Sequence, residues 1–394
     1  MQGDTKGPLM KRHLFHRVMF VILRYTVAPF IKRAMRYKCK KQKGPDTPSF
    51  IIANHNTDLD PVLIAMSFRR HMYFLSSEHS LRNSFRASLL KIFFDPIPIN
   101  KSRTDVSAIK EMLRRVKAGA NVCFFAEGDR SFSGTTQPIT SSTAKLVKTS
   151  GADLITFRLE GGYLTSPRWS RNYRQGKMAG RVVNRYSGEE LKTKTIGQIN
   201  SLIEQDIYED AYERQKEDPV RYRGKNLAES IETTLYLCPE CEKFGSIRSE
   251  NDRFYCSCGL EGTYSETGII SGELLPFSTV SEWDQWQTGK LEEIITAAGD
   301  ETICSDEDQK LYTVQSVTGS TLVGRGPISI DRTAFHCAGI DFALDRITKI
   351  VVAGQMTLLF ALKDGPSYEV HSDIPRSALK YREIFRVLSR KSNP

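Results

Sequence analysis

Two polar clusters in this 394-residue chain follow apolar runs, and both hold groups that can move a proton or grip an anion. The first is Asn54-His55-Asn56-Thr57-Asp58-Leu59-Asp60, directly after Phe50-Ile51-Ile52-Ala53. Histidine titrates near neutral pH, so His55 suits a general base that removes a hydroxyl proton. A carboxylate on its other ring nitrogen fixes the tautomer and stabilises the imidazolium as the proton arrives, and Asp60 is the candidate. A spacing of five puts the two on different faces of a regular helix, so they pair only if His55 sits on a turn and Asp60 opens a helix. Asp60-Pro61 has the composition of such an opening, Asp at the N-cap and Pro at the first helical position. That leaves a second outcome open, in which Asp60 only caps and Asp58 or nothing faces His55. The second cluster, Glu127-Gly128-Asp129-Arg130-Ser131, closes the run Asn121 to Ala126. Gly128 permits close backbone approach to an anionic ligand, and Arg130 can hold a phosphate through two N–H groups. Lys101 and Arg103 likewise come straight after Ile97-Pro98-Ile99. No Gly-x-Ser-x-Gly elbow offers a serine nucleophile, and Cys123 lies inside an apolar run, as a core residue does.

These clusters need strand ends to hold them. Short apolar runs predict strands at 50–53, 72–76, 97–99, 122–126, 154–159 and 181–185. Helical patterns fall between them at 61–68, 81–94, 106–118 and 141–149, the last closed by Gly151. Alternation of this kind predicts an α/β domain, here 47–232, in which ligands bind beyond the carboxyl ends of the strands. A charged helical stretch from Leu191 to Glu217 completes it.

Taken together and in this order, the clusters resemble the glycerolipid acyltransferase family, which includes the 1-acylglycerol-3-phosphate acyltransferases. His55 and Asp60 match its His-x4-Asp block, and Phe125-Ala126-Glu127-Gly128-Asp129-Arg130-Ser131 is similar to its Phe-Pro-Glu-Gly-Thr-Arg-Ser block. Ile99 to Thr104 resembles its Ile-Asp-Arg block, with Lys101 in the Arg place and Arg103 two positions on. The likeness covers roughly residues 10 to 190. It implies acyl transfer from a thioester, acyl-CoA or acyl-carrier protein, to the free hydroxyl of 1-acylglycerol 3-phosphate without a covalent acyl-enzyme. His55 is then the base, oriented by Asp60, while Lys101, Arg103, Glu127, Gly128 and Arg130 hold the acceptor's phosphate. The alternatives are glycerol 3-phosphate or another lysophospholipid as acceptor, or a non-catalytic membrane adaptor. Ala126 stands where the family has Pro, Asp129 where it has Thr, and the fourth block is reduced to Leu154-Ile155-Thr156-Phe157. A negative charge at Asp129 beside Arg130 makes the acceptor less secure than the reaction.

Charge is concentrated at the start of the chain. Residues 1–50 hold 12 Lys or Arg against Asp4 and Asp46, whereas 44 basic and 44 acidic residues balance beyond them. Nucleic acid is therefore not an expected partner. Within this arm, residues 1–46, the uncharged run Val18 to Leu23 is too short to span a bilayer, and Arg17 and Arg24 fall on one helical face. An amphipathic helix in the headgroup plane is expected, helped by the basic run Lys38 to Lys43, placing the protein peripherally on the cytoplasmic face of a phospholipid membrane. The alternative is a helix packed on its own domain.

Cys238-x-x-Cys241 and Cys256-x-Cys258, 14 residues apart, supply two knuckles for one tetrahedral ion, and a structural zinc ribbon is expected over 233–268. Clustered thiols without a secretory signal also indicate a reducing compartment. Over 269–394, a helix at 282–298 is followed by seven short β runs and an amphipathic helix at 377–390. That order resembles a pleckstrin-homology-like or GRAM-like domain. Arg376, Lys380, Arg382, Arg386, Arg390 and Lys391 are expected on a solvated face.

Overall fold

The computed structural model describes residues 6–42, 47–82, 85–315 and 319–392; Asp4, Lys43 and Asp46 lie outside this set. The chain divides into two compact units, one of residues 1–99, 105–166 and 174–220, the other of 100–104, 167–173 and 221–394.

The first unit contains α1 (Lys6–Ala34), β1 (Tyr37–Cys39), β2 (Ser49–Ala53), α2 (Asp60–Ser67), β3 (Met72–Ser77), α3 (Phe85–Phe94) and β4 (Ile97–Ile99). It continues with α4 (Val106–Lys117), β5 (Asn121–Phe125), α5 (Ser141–Ser150), β6 (Asp153–Glu160), α6 (Gly162–Thr165), β7 (Met178–Tyr186), α7 (Gly188–Thr193), α8 (Ile196–Ile207) and α9 (Ala211–Glu217). The seven strands form one sheet in the order β1-β7-β6-β2-β5-β3-β4. Strands β6, β2, β5, β3 and β4 run parallel, and β7 turns antiparallel to β6.

Helices cover both faces, so the central strands are apolar on consecutive residues, and all five residues of β2 are buried. Phe50 and Ile52 enter the core shared with Met112 and Val116 of α4 and Ala144 and Val147 of α5. Ile51 and Ala53 enter the opposite core, with Phe20 and Leu23 of α1 and Leu63 and Ile64 of α2. The chain thus leaves neighbouring strands β2 and β5 toward opposite faces. This divergence opens the crevice in which such sheets bind ligands. Gly151 ends α5 at φ +66°, as its cap role requires.

Helix α1 is a single helix of 29 residues. It runs through Pro29, and Leu14–Ala34 is long and apolar enough to cross a membrane by length and composition, with a mean hydropathy of 1.4. Phe20, Leu23 and Ala28 are buried in the domain core, yet Leu14, Phe15, Val18, Tyr25 and Phe30 are exposed. Arg17 is exposed, and the half-buried Arg24 donates to the carbonyl of Phe68. His16 is buried and bonds the carbonyl of Ile92.

The second unit begins with a four-stranded antiparallel sheet of β8 (Ile247–Glu250), β9 (Arg253–Cys256), β10 (Glu261–Tyr264) and β11 (Ile270–Ser271). Helix α10 (Val280–Ala297) starts in a capping box between Thr279 and Glu282, and its buried Trp283 donates to the carbonyl of Leu237. Seven antiparallel strands follow: β12 (Cys304–Val314), β13 (Ser320–Ile330), β14 (Ala334–Cys337), β15 (Ile340–Ala343), β16 (Ile347–Ala353), β17 (Thr357–Leu362) and β18 (Ser367–Ser372). Their order is β15-β14-β13-β12-β18-β17-β16, and α11 (Ala378–Ser392) closes the chain. Residues 320–330 form one strand, β13, which pairs with β12 on both sides of an irregularity at Pro327, where the register shifts between Asp306 and Gln309. The basic residues near the end of the chain are not all solvated: Lys380 of α11 is buried and ion-paired with Asp306, and Arg376, just before α11, is buried and donates to the carbonyl of Met356.

Candidate active site

His55 and Asp60 meet. His55 Nδ1 lies 3.0 Å from Asp60 Oδ2, with the Asp60 side chain fully buried and that of His55 17% exposed. Asp60 is the first residue of α2, the N-cap being Leu59, and its carboxylate makes no capping bond. Instead it folds back over the preceding turn. Oδ2 also accepts from the backbone N–H groups of Asn56 (2.6 Å) and Thr57 (2.9 Å), and Oδ1 accepts from the Thr57 hydroxyl (2.7 Å). Two peptide N–H groups hold Oδ2 as an acceptor, so the imidazole must present Nδ1–H to it. Proton exchange with a substrate then falls to Nε2. The sequence left open whether Asp60 caps or orients; the geometry gives it the orienting contact.

Phe125, at the end of β5, supplies a second restraint. Its ring stacks on His55 at 4.0 Å between centroids and 14° between planes. In the sequence it reads as one more apolar strand residue. Its contact depends on the parallel pairing that sets Ala53 opposite Phe125.

Glu127 accepts from the His55 N–H through Oε1 (2.6 Å) and from the Gln137 N–H through Oε2 (2.7 Å), and the Ser131 N–H returns to the His55 carbonyl (3.0 Å). Burial pushes the Glu127 carboxyl up to about 8, against the opposing pull of the two N–H donors. Gly128 stands at φ +76° with open space where a Cβ would be, so the turn conformation, and not crowding, asks for glycine. Arg130 spreads its guanidinium over three parts of the chain: Nε to the Asn56 carbonyl (3.0 Å), one Nη to Asp58 (3.0 Å) and the other to the Ser166 carbonyl (2.8 Å). Asn54, fully buried, clasps the backbone of Leu159 by donating to its carbonyl and accepting from its N–H, both at 2.7 Å.

The structure therefore brings His55, Asp60, Glu127, Gly128 and Arg130 together at the ends of β2 and β5. Lys101 and Arg103 belong to segment 100–104 of the second unit, within which Arg103 donates to the Gly365 carbonyl and the Ser367 hydroxyl. Asn54 and Phe125 stand inside the clusters read from the sequence but were given no role there, and Gln137 and Ser166 lie in later loops that no local pattern marks.

The four cysteines of the ribbon also converge. Their sulfurs lie within 4.8 Å of one another, with Cys238 to Cys258 at 3.7 Å and Cys241 to Cys256 at 3.8 Å. Zinc bonded to thiolates at ~2.3 Å in a tetrahedron sets sulfur separations near ~3.8 Å, so the donor set and its spacing fit that ion. Left-handed turns at Glu242 and Gly259 shape the two knuckles.

Residues 16–160 match the family model described as Acyltransferase. Among solved structures, the crystal structure of the 1-acyl-sn-glycerophosphate (LPA) acyltransferase PlsC from Thermotoga maritima is similar at 14% identity and a TM-score of 0.38, over 50% of this chain and 95% of that one.

Proposed function

With residues 16–160 forming a domain of the acyltransferase family, we propose that the protein transfers a fatty acyl group from an acyl thioester to the free hydroxyl of a lysophospholipid, the 1-acylglycerol type. The observation that carries this reading is the His55–Asp60 contact, in a turn whose backbone donors leave Nε2 to face the chemistry. His55 takes the hydroxyl proton while the acceptor oxygen bonds to the thioester carbonyl carbon. The carbon–sulfur bond breaks, and the departing thiolate recovers the proton from the imidazolium. Coenzyme A or an acyl-carrier protein is the donor carrier. Glu127 and Arg130 act as positioning residues, since the contacts they make hold the two loops together. 1-Acylglycerol 3-phosphate is the acceptor the sequence points to, and glycerol 3-phosphate or another lysophospholipid is the alternative.

Helix α1 would bring this site to lipid on the cytoplasmic face of a membrane. Because Phe20, Leu23 and Ala28 are spent on the domain core, a helix that leaves its domain to span the bilayer loses that packing, and peripheral seating is favoured. The zinc ribbon acts structurally, tying its two cysteine knuckles together across the small sheet. The β-rich C-terminal region is read as pleckstrin-homology-like from its seven antiparallel strands and closing helix. Acyl transfer by the purified chain, followed by product mass spectrometry with mixed donors and acceptors, tests the reaction. His55→Ala should lose at least ~100-fold in rate, the lower range of general-base contributions. Full activity in that variant ends the proposal.

A further inference from the structure

The turn that carries His55 rests on the carboxyl end of β6. Parallel pairing of β2 with β6 stops at Ala53 opposite Phe157. The Asn54 side chain then continues it: its amide offers a donor and an acceptor as a peptide does, and it meets both the carbonyl and the N–H of Leu159, two residues past Phe157. Three residues further on, Gly162 lies against Asn56. A Cβ on Gly162 would stand 2.8 Å from the Asn56 Cβ and 3.3 Å from its Nδ2. The Asn56 Cβ is bonded to the backbone and cannot swing aside as a side-chain tip does, so an added methyl must move the turn. Asn56 also ties the site together. Its N–H donates to Asp60 Oδ2 at 2.6 Å, and its carbonyl accepts from Arg130 Nε at 3.0 Å. Arg130 grips the Ser166 carbonyl, and the Ser166 N–H returns to the Gly162 carbonyl at 3.0 Å, closing a ring of contacts that starts and ends at Gly162.

We propose that Asn54 and Gly162 are positioning residues for the base: the end of β6 is the seat on which His55 and Asp60 are brought together, and the missing side chain of Gly162 sets how closely the turn sits on it. This rests on the acyl-transfer reading above and adds two residues to its machinery. The full chain is assayed by thiol release from an acyl thioester with a 1-acylglycerol 3-phosphate acceptor. Gly162→Ala should lower kcat by about 10- to 100-fold, the scale of a misplacement approaching 1 Å, and leave the acceptor KM within about twofold. With Asp60 drawn off His55 the imidazolium loses its partner, so the acid limb of the kcat/KM profile should move to lower pH, which a loss of stability alone does not do. Asn56→Gly removes the atom that the new methyl meets, so in that background Gly162→Ala should cost less than about threefold. A wild-type kcat, an unmoved limb, or a loss carried by KM in folded Gly162→Ala overturns the inference and leaves acyl transfer standing. So does an equal loss with and without the Asn56 side chain. Should Gly162→Ala not fold, Asn54→Ser is read on the same two measurements. Its hydroxyl cannot span both groups of Leu159, so kcat should fall and the limb move in the same way, and a wild-type profile there overturns the inference equally. No transfer by the wild-type chain sinks the acyl-transfer reading, and this inference with it.

Discussion

Replacing Asp60 by Asn separates its charge from its geometry. The carboxylate receives three donors on Oδ2 and one on Oδ1, and two of the three on Oδ2 are peptide N–H groups that cannot turn away. The amide must therefore place its carbonyl oxygen at the Oδ2 position and its NH2 toward Thr57. The Thr57 hydroxyl can rotate to accept, although it already accepts from the Leu59 N–H at 3.2 Å, because it has two lone pairs. The His55 tautomer is then preserved, and only the charge facing the imidazolium is lost. A hydrogen bond to a charged group contributes about 1.5–3 kcal/mol and a neutral one about 0.5–1.5, a difference of about 1–2 kcal/mol. That corresponds to a fall in kcat of about 5- to 30-fold. Continuous thiol-release kinetics at saturating acceptor would read it, beside chemical denaturation. Asp60→Ala should instead strand two peptide N–H groups, at about 1–3 kcal/mol each in stability. A loss near 10⁴-fold in the Asn variant, the scale seen when a triad histidine is held in the wrong tautomer, would show that the backbone donors do not control the amide. An unchanged rate would remove Asp60 from the chemistry altogether.

Three further outcomes follow from the same geometry. Phe125→Leu should lower kcat by about 2- to 10-fold, from the 0.5–1.5 kcal/mol of an aromatic stack, while Phe125→Tyr restores most of it; equal rates in all three proteins would make the stack incidental. Glu127, with its carboxyl raised to about 8, holds a proton in the folded state that the unfolded chain releases near 4.5. Its contribution therefore makes stability fall as pH rises from about 4.5 to about 8 and level off above, by up to a few kcal/mol. Glu127→Gln should flatten that slope and, because its NH2 meets one of two peptide N–H donors, cost about 1–3 kcal/mol at low pH; an identical pH profile would contradict the assignment. Wild-type protein should bind one zinc per chain, and Cys241→Ser should bind it weakly and unfold at lower temperature; full zinc content in the variant would exclude Cys241 as a ligand.

Much of the positioning was legible locally. Consecutive apolar residues mark β2 and β5 because strands covered on both faces need no polar alternation, and Gly151 marks the end of α5 because only a left-handed residue closes it cheaply. The Cys238 to Cys258 spacing also suffices to bring four sulfurs together, since each knuckle is a local turn. Other readings failed where a neighbour decides. Lys380 was expected on a solvated face of the last helix, but the Asp306 carboxylate claims it and it is buried. The stretch from Leu191 to Glu217 breaks into α7, α8 and α9 because Thr195 and Asp210 cap new starts within it.

The sequence by itself determined the residue types of the candidate site, their order at strand ends, the two cysteine knuckles and the departure at Asp129. Tertiary structure alone decided whether Asp60 caps or orients, that Phe125 stacks on His55, and that Arg130 and Arg103 bond to distant carbonyls. The reason is range. A strand, cap or knuckle follows from neighbours a few residues away, while the partners of His55 and Arg130 lie on segments up to 72 and 74 residues distant and meet only once parallel pairing of β2 with β5 fixes their register.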